Sequence, residues 1–265
     1  MTAFTYALSG GTHIIAGAGG AQMVMLVRRK KEYFTDFIAR EAKAKGLKVV
    51  VNGSYIDLSF ASAAAVRLRN SPLEASDSTP LGQVIQDGTL LAGTSSTGKF
   101  NFSQDACGSV KFSAGLGNPP LSSCSAIGGI APIIIDNIAY GAENVYKSGV
   151  PGGAPSRGDV GPAFRPYLVQ KSNAMFATLL SKGGTVGKTA VGYSNSRQTL
   201  LVLIQAHGAP GVDANGIRAL FKGVAVDNAV FLDCSDSATL YYDGKFLVSP
   251  GIDKNQFPTV AVGFK

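Results

Sequence analysis

The chain has 265 residues, of which 45% are hydrophobic and 15% charged, so it is long and apolar enough to bury a sizeable core in one large domain or two small ones. This composition excludes an intrinsically disordered chain. The 24 Lys and Arg residues outnumber the 17 Asp and Glu residues, and the net charge of +7 either favours anionic partners or serves solubility alone.

The first part of the chain predicts strands and one amphipathic helix. Residues 1–27 alternate weakly between apolar and polar side chains, which predicts one or two strands. Helical spacing followed by Gly46 as a stop signal predicts a helix with an apolar face made of Tyr33, Phe34, Phe37, Ile38 and Ala42. The predicted strand Leu47–Val51 then runs into Asn52-Gly53-Ser54-Tyr55, where Asn and Gly tolerate the left-handed backbone of a sharp strand exit.

The middle of the chain predicts hairpins, loops and one buried strand. Residues 59–128 are rich in Gly, Ser and Pro, and Gly82–Leu91 predicts a strand pair around Asp87-Gly88. Ile133–Ile135 predicts a buried strand. The four prolines and four glycines of Val150–Pro166 predict a long excursion, either a linker or a lid.

Three further elements are predicted before residue 206. Ala174–Leu180 is compatible with a helix. Lys188–Tyr193 and Thr199–Gln205 predict two strands joined by Ser194–Arg197. Because strands outnumber helices and no period of 20 to 50 residues repeats, the elements predict one α+β, β-rich domain with a mixed sheet core and a few packed helices.

The segment from Gly211 to Lys245 gives the strongest local signals. Asp213 predicts the N-cap of a helix whose buried face carries Ile217, Leu220, Phe221 and Val224. Ala229–Leu232 predicts a short buried strand, and a polar loop follows, formed by Asp233, Cys234, Ser235, Asp236 and Ser237. Asp243-Gly244 predicts a hairpin between Thr239–Tyr242 and Lys245–Val248. A buried strand that opens into a polar loop is where we place the candidate active site.

Several common catalytic motifs are excluded. Lys182–Thr189, KGGTVGKT, resembles a phosphate-binding P-loop, but its first glycine is missing and a strand rather than a helix is predicted to follow. Ala16–Gln22 is an incomplete dinucleotide-binding fingerprint without the acidic residue that would bind the ribose. The chain contains neither a GxSxG elbow nor an HExxH sequence, so serine hydrolases of that type and zinc proteases are not expected.

The cysteines do not predict a structural zinc site. Cys107, Cys124 and Cys234 lack CxxC spacing, and the chain has only His13 and His207 to add. Cys107 and Cys124 lie in one Gly- and Ser-rich region. A disulfide between them and three free thiols both remain open, because the number of cysteines is odd.

Neither a membrane span nor a nucleic-acid partner is expected. Ile14–Val27 is too short to cross a bilayer, and residues 1–11 lack the charged and apolar regions of a Sec-type signal peptide. We therefore expect synthesis in the cytoplasm, with export by a signal-independent route as the alternative. Arg28-Arg29-Lys30-Lys31 is the one basic run, and no aromatic platform accompanies it.

Four predicted strand ends carry polar side chains that could do chemistry. These are Asn52, Lys188 with Thr189, His207 and Asp233, and catalytic residues are concentrated at such positions. Each also has a structural interpretation: Asn52 as a turn former, Lys188 as a solvated charge, His207 as a surface residue and Asp233 as a cap.

The order and spacing of these pieces resemble the phosphodiester glycosidase family. Leu47–Tyr55, LKVVVNGSY, resembles the family's apolar strand into Asn-Gly-Gly-Phe, and Pro80–Gly88 and Ala126–Asp136 resemble its two glycine-containing hairpin elements. Lys188–Gly192, KTAVG, is similar to Arg-Thr-Ala-Ile-Gly, and Asn228–Ser237 is similar to the segment with the Leu-Asp-Gly-Gly-Gly-Ser loop. The resemblance implies a family-like core over residues 47–265, preceded by a strand and helix region over residues 1–46.

The resemblance implies hydrolysis of a sugar-1-phosphodiester in a glycan or cell-envelope substrate. The implied catalytic residues are Asp233 as acid, base or nucleophile, His207 or Asp236 as a second titratable group, and Lys188, which with Arg197 would offset the phosphate charge. The implied substrate-binding residues are Asn52, Gly53, Thr189, Arg197, Ser235, Asp236 and Ser237. No cofactor is expected, and a divalent metal at Asp233 and Asp236 is the less favoured alternative. The oligomeric state is not predicted.

The chain departs from the family pattern at three places. Lys188 stands where Arg is common, His207-Gly208 stands where Asp-Gly is usual, and Cys234-Ser235-Asp236 replaces three glycines. Two hypotheses follow: the enzyme has a changed substrate, or the chain is a catalytically inactive glycan- or phosphoglycan-binding domain of a secreted effector or phage particle.

Overall fold

The computed structural model describes residues 2–57, 71–74, 78–95, 100–139 and 185–265. The excursion predicted at Val150–Pro166 and the helix predicted at Ala174–Leu180 lie outside these residues. In the described ranges the helices are α1 (Phe34–Lys45) and α2 (Ala214–Gly223), and 3-10 turns occur at Ser235–Ser237 and Asp253–Asn255. The strands are β1 (Ala3–Ser9), β2 (Thr12–Ala18), β3 (Met23–Val27), β4 (Val49–Asn52), β5 (Ile56–Asp57), β6 (Thr79–Pro80), β7 (Val84–Gln86), β8 (Thr89–Ala92), β9 (Phe100–Gln104), β10 (Phe112–Leu116), β11 (Ser125–Ile135), β12 (Ile138–Ala139), β13 (Lys188–Ser194), β14 (Thr199–Gln205), β15 (Asn228–Phe231), β16 (Leu240–Tyr242), β17 (Lys245–Val248) and β18 (Val260–Phe264).

Two large sheets and one strand pair organise the fold. The larger sheet runs β1-β2-β14-β13-β15-β11-β7-β8, with β9, β10 and β12 attached through β11. The smaller sheet runs β17-β16-β4-β18-β3, and β5 pairs with β6. Apolar side chains from both large sheets, such as Val51, Val262, Ile130 and Val230, belong to one continuous buried core.

The prediction of a β-rich α+β domain is confirmed, but the prediction of a mixed sheet is wrong for the described strands. Every pairing among them is antiparallel. The helix α2 does connect two strands of the same direction, β14 and β15. These strands do not pair, because β13 lies between them and is antiparallel to both.

The N-terminal residues contribute three strands rather than the one or two predicted. Glycines in left-handed conformations separate them, Gly10 and Gly11 (φ 55° and 80°) after β1, and Gly19 and Gly20 (φ 90° and 87°) after β2. Strand β2 pairs with β14 in the larger sheet, and β3 pairs with β18 in the smaller one. Residues 2–27 are therefore built into both sheets.

The edge strand β3 is joined to the larger sheet through side chains. The Met23 and Met25 amides donate to Oε1 of Gln104 (3.0 Å) and Oε1 of Gln86 (2.7 Å), and Ser125 Oγ donates to the Met23 carbonyl (2.7 Å). These contacts satisfy backbone groups that an edge strand would otherwise expose for pairing with another chain.

Both predicted helices of the described part are confirmed. The helix α1 ends at Gly46, whose φ of 63° is the left-handed C-cap geometry, and it packs its apolar face on Val50 and Ala261 of the smaller sheet. At the start of α2 the Asp213 carboxylate accepts a hydrogen bond from the Gly216 amide at 2.7 Å. No helix in the described ranges is long and apolar enough to span a membrane.

The basic run is only partly a surface feature. Arg28 is 1% exposed and its Nη1 donates to the carbonyls of Glu32 (2.6 Å) and Leu73 (3.0 Å). The exposed Lys31 lies 3.5 Å from Glu74. Arg28 therefore stabilises a loop junction, whereas the other three residues of the run are exposed.

The structure contains the Cys107–Cys124 disulfide that the sequence left open. Strands β9 and β11 pair with Gln104 opposite Ser125. This pairing brings Cys107, which follows β9, close to Cys124, which precedes β11. The two Cα atoms are 4.6 Å apart, within the range that a disulfide requires. Cys234 is the free cysteine of the chain and is buried.

We expect native, oxidised protein to show no fast-reacting thiol. Cys234 is 1% exposed, its thiol donates to the Leu232 carbonyl at 3.2 Å, and burial raises the pKa of the thiol to about 12. A thiol assay should count one cysteine after unfolding without reductant and three after unfolding with reductant. The Cys234→Ser variant should lose the single thiol that denaturant exposes, and two or more reactive thiols in native protein would contradict the disulfide.

Candidate active site

The ends of strands from both large sheets meet around one polar loop. Asn52 ends β4 of the smaller sheet, while Asp233 follows β15 of the larger sheet by two residues. The Asp233 amide donates to the Gly53 carbonyl at 2.9 Å, and the Leu232 amide donates to the Thr189 carbonyl at 2.9 Å. The segment from Asp233 to Ser237, which we call the polar loop, therefore begins at the junction of the two sheets.

The side-chain amide of Asn52 holds the start and the end of the polar loop. Its Nδ2 donates to the Asp233 carbonyl at 2.6 Å, and its Oδ1 accepts hydrogen bonds from Thr189 Oγ1 (2.7 Å) and the Thr239 amide (3.0 Å). Asn52 and Thr189 are 1% and 0% exposed. In the structure their side chains hold the polar loop through these hydrogen bonds, and the predicted substrate contact of both residues stays a prediction.

Gly53 is needed for a different reason than the one predicted. Neither Asn52 nor Gly53 has the left-handed backbone expected at this strand exit. A Cβ on Gly53 would instead lie 2.7 Å from both Cγ1 and the carbonyl oxygen of Val260. The glycine thus allows β4 and β18 to approach closely, and its amide donates to the Val260 carbonyl at 2.9 Å.

Asp233 is a buried carboxylic acid with a raised pKa. Its Oδ1 accepts a hydrogen bond from the Cys234 amide at 3.0 Å, and the residue is 7% exposed. Burial raises the pKa of the carboxyl and the charge of Asp236 raises it further, whereas the charge of Lys254, the Ser237 side chain and the Cys234 amide lower it. Asp233 therefore keeps its proton to a higher pH than an ordinary aspartic acid.

Lys188 is enclosed by the protein. It is 0% exposed, and its ammonium donates to the Val186 carbonyl at 2.7 Å and to Gln205 Oε1 at 3.3 Å. Burial lowers the pKa of Lys188, although Cys234 and Asp213 act in the opposite direction. The sequence-based interpretation of Lys188 as a solvated charge is therefore wrong, and an incoming phosphate does not meet this ammonium without displacing protein contacts.

Arg197 was expected near Lys188, but the structure places it at the opposite end of the hairpin. Lys188 pairs with Gln205 at one end of β13 and β14, Ser194 pairs with Thr199 at the other, and Arg197 lies in the turn beyond that second pair. Seven residues of extended chain separate the two ends, roughly 20 Å. The predicted strand pair, with Arg197 in its turn, already implied this separation, and the observed register agrees with it.

His207 borders the polar loop through Gly187. The Gly187 amide donates to His207 Nδ1 at 3.3 Å, and the Gly187 carbonyl accepts a hydrogen bond from the Ser235 amide at 2.8 Å. A Cβ on Gly187 would lie 2.0 Å from the Ser235 carbonyl oxygen. Because Nδ1 is an acceptor here, the neutral form of His207 that fits this contact carries its proton on Nε2, and the residue is exposed.

The three side chains that replace family glycines differ in orientation. Cys234 is 1% exposed and points into the core, whereas Ser235 and Asp236 are partly exposed. Ser235 has a φ of 65°, a left-handed conformation that is strained for a residue with a side chain. The backbone thus keeps a glycine-like geometry at Ser235, and only Ser235 and Asp236 add polar groups to the loop surface.

Lys254 is a neighbour of the site that sequence reasoning missed. The 3-10 turn Asp253–Asn255 packs on the 3-10 turn Ser235–Ser237, and the Gly251 amide donates to the Asp236 carbonyl at 2.8 Å. Lys254 Nζ lies 4.8 Å from the centre of the Phe257 ring. No local pattern marks this lysine, because tertiary packing alone brings it to the polar loop.

The residues of the polar loop do not form a set of three metal ligands. In the part of the chain that the structure describes, Asp87, Cys107 and Cys124 are the one group of three such side chains, and its two cysteines form the disulfide. A divalent metal at Asp233 and Asp236 therefore stays a less favoured prediction.

Comparison with known proteins places these observations in a family. A family model described as phosphodiester glycosidase matches residues 45–264. The catalytic domain of zebrafish N-acetylglucosamine-1-phosphodiester alpha-N-acetylglucosaminidase, auto-inhibited by its pro-peptide, has a similar structure, with a TM-score of 0.57 and 14% identity over 99% of this chain and 81% of that one. A Burkholderia pseudomallei protein is similar with a TM-score of 0.52 and 12% identity over 96% of this chain and 73% of that one. No curated protein matches the sequence. At these identities the two structures show a common fold.

Proposed function

The chain belongs to the phosphodiester glycosidase family, and on this premise we propose that it hydrolyses a sugar-1-phosphodiester, with N-acetylglucosamine as the first sugar to test. The match over residues 45–264 carries the proposal, because that span includes Asn52, Thr189, His207 and the polar loop. In the proposed reaction water adds to the anomeric carbon, the bond from that carbon to the phosphate oxygen breaks, and the bond's electron pair leaves with the phosphate.

Asp233 is the group that exchanges a proton at the reacting centre in this proposal. Its raised pKa suits proton transfer near neutral pH better than that of an ordinary aspartic acid. His207 supports the same chemistry as a hydrogen-bond donor to a phosphate oxygen, since Nε2 carries its proton in the neutral form. Asn52 and Thr189 act as positioning residues that hold the Asp233 backbone.

The test is product analysis with purified protein and a panel of sugar-1-phosphodiesters, including methyl N-acetylglucosamine-1-phosphate. We expect equal amounts of free sugar and methyl phosphate. In water enriched in ¹⁸O, the methyl phosphate should stay unlabelled, because cleavage of the bond to carbon puts the water oxygen on the sugar. Label in the phosphate would indicate a phosphodiesterase instead, and release of no product from any member of the panel would overturn the proposal.

A second candidate is a glycan- or phosphoglycan-binding domain without turnover. The partly exposed Ser235 and Asp236 side chains favour it, because they occupy space that the family's glycines leave free. The same panel separates the two functions, since this domain would bind a sugar phosphate and release nothing from the diester.

The Cys107–Cys124 disulfide supports a localisation outside the cytoplasm. Disulfides persist in oxidising compartments and are rare where thiols are kept reduced. We therefore propose export, as expected for an enzyme of envelope glycans, and detection of only the fully reduced protein, confined to the producing cell, would contradict it.

A further inference from the structure

We propose that Lys254 is the cation that contacts the phosphate group of the substrate, a task that the sequence assigned to Lys188. The inference rests on the proposed function, because it names the phosphate contact of the same site. Two observations carry it: the enclosure of one lysine, and the placement of the other beside the polar loop.

The ammonium of Lys188 forms hydrogen bonds within the protein. It donates to the Val186 carbonyl at 2.7 Å and to Gln205 Oε1 at 3.3 Å, and no part of the residue is exposed. Gln205 is itself fixed, since its Nε2 donates to the Ala209 carbonyl at 3.2 Å. A phosphate that paired with Lys188 would have to enter the core and replace these bonds, which is unfavourable for a buried anion.

Lys254 lies on a turn that packs on the polar loop and is hydrogen-bonded to it through Gly251. The Gly251 amide is bonded to the Asp236 carbonyl at 2.8 Å, and an added Cβ on Gly251 would lie 3.2 Å from Asp236 Cβ. The ammonium lies over the ring of Phe257, which is 3% exposed and therefore a rigid platform. Lys254 itself is half-buried, so part of the residue is accessible to solvent.

Lys254 is the cation among several acidic side chains at this site. Asp233 and Asp236 belong to the loop on which its turn packs, and Asp253 precedes it in the chain. None of the acidic groups in the described ranges forms an ion pair with Lys254 within 4.0 Å. The positive charge of Lys254 lowers the pKa of Asp233 against the effect of burial, so its field already reaches the carboxyl.

In the proposed reaction Lys254 stabilises the leaving phosphate. When the bond from the anomeric carbon to oxygen breaks, its electron pair stays on the phosphate oxygen, and the released phosphomonoester carries more negative charge than the diester did. A fixed ammonium beside that oxygen favours the charged transition state over the ground state. The hydroxyl of the attacking water remains on the sugar, and the other proton of that water passes to the Asp233 carboxylate, which releases it to solvent.

The test compares Lys254→Gln with Lys254→Arg and with the control Lys222→Gln, which changes an exposed lysine in the last turn of α2. We expect Lys254→Gln to weaken binding of N-acetylglucosamine 1-phosphate by about 10-fold to 100-fold and to leave binding of free N-acetylglucosamine unchanged. Arginine should restore most of the loss, and Lys222→Gln should match wild type. In pH profiles, the limb governed by Asp233 should shift to higher pH in Lys254→Gln, because removal of a nearby cation raises the pKa of a carboxyl.

The outcomes separate this inference from the proposed function. Equal weakening for the free sugar and the sugar phosphate, or no change in either, would overturn the role of Lys254 even if the enzyme turns over. Binding of the sugar phosphate that depends on Lys254, without hydrolysis by wild type, would support Lys254 and overturn the hydrolase. Absence of any sugar-phosphate binding by folded wild-type protein would overturn both.

Discussion

Replacement of Asp233 with Asn should lower kcat/KM for a sugar-1-phosphodiester by roughly 10³-fold, while affinity for the sugar phosphate stays within about threefold. The amide has nearly the shape of the carboxyl and can still accept the hydrogen bond from the Cys234 amide, so the polar loop keeps its geometry. It can neither give up nor take up a proton in the reaction. Steady-state kinetics and calorimetric titration with the sugar phosphate measure the two effects.

The matched control is Asp243→Asn. Asp243 lies in the turn between β16 and β17 with a φ of 46°, a conformation that Asn tolerates, and its carboxylate pairs with Lys48 at 2.9 Å on the surface. This variant should keep wild-type turnover. If Asp233→Asn retained full activity, or if Asp243→Asn lost as much as Asp233→Asn, the reacting centre would have to lie elsewhere.

The pH dependence of stability gives a second readout for Asp233 that does not depend on a substrate. The folded state raises the pKa of Asp233 above its ordinary value of 3.8, so the folded protein binds this proton more tightly than the unfolded chain does. The contribution of Asp233 to stability therefore decreases as pH rises from about 3.8 through the raised pKa. We expect Asp233→Asn to gain stability relative to wild type across that window, and a relative loss there would contradict the raised pKa.

Local structure was predictable from the sequence because its signals act over a few residues. The backbone conformation of Gly46 ends the first helix, and Asp213 caps the second helix through a residue three positions away. Asp243-Gly244 forms the turn of the predicted hairpin. Both helices and the hairpin occur where these residues predicted them. The predicted hairpin of β13 and β14 also implied the distance between Lys188, at the start of the first strand, and Arg197, in the turn.

The interior of the candidate site was not predictable for the same reason. The residues that Asn52 binds are 137, 181 and 187 positions away in the chain, and Lys254 reaches the polar loop only through packing of two short turns. The family resemblance identified segments that meet around the polar loop in the structure, but it did not show which of their side chains are buried. Asn52, Thr189 and Lys188 are all buried, and their polarity alone would not have indicated this.

Removal of the Asn52 side chain should have the largest effect on stability. In the wild-type protein the Asn52 side chain is bonded to the Thr189 hydroxyl (2.7 Å), the Thr239 amide (3.0 Å) and the Asp233 carbonyl (2.6 Å). In Asn52→Ala all three groups lose this partner. Buried polar groups without partners typically cost 1 to 3 kcal/mol each, and partial relaxation reduces the sum, so we expect a loss of about 3 to 4 kcal/mol in the free energy of unfolding. Denaturant unfolding measures this quantity.

The control for Asn52→Ala is Asn118→Ala, which removes an exposed amide bonded to Ser95 Oγ at 2.6 Å and should change stability by less than about 0.5 kcal/mol. Asn52→Ala should also lose turnover under conditions where it remains folded, since the polar loop is then held at fewer points and a displacement of about 1 Å costs on the order of 10²-fold in rate. Retention of both stability and activity would show that the Gly53–Asp233 and Ser235–Gly187 backbone bonds are sufficient to hold the loop. In that case Asn52 would be dispensable for the chemistry.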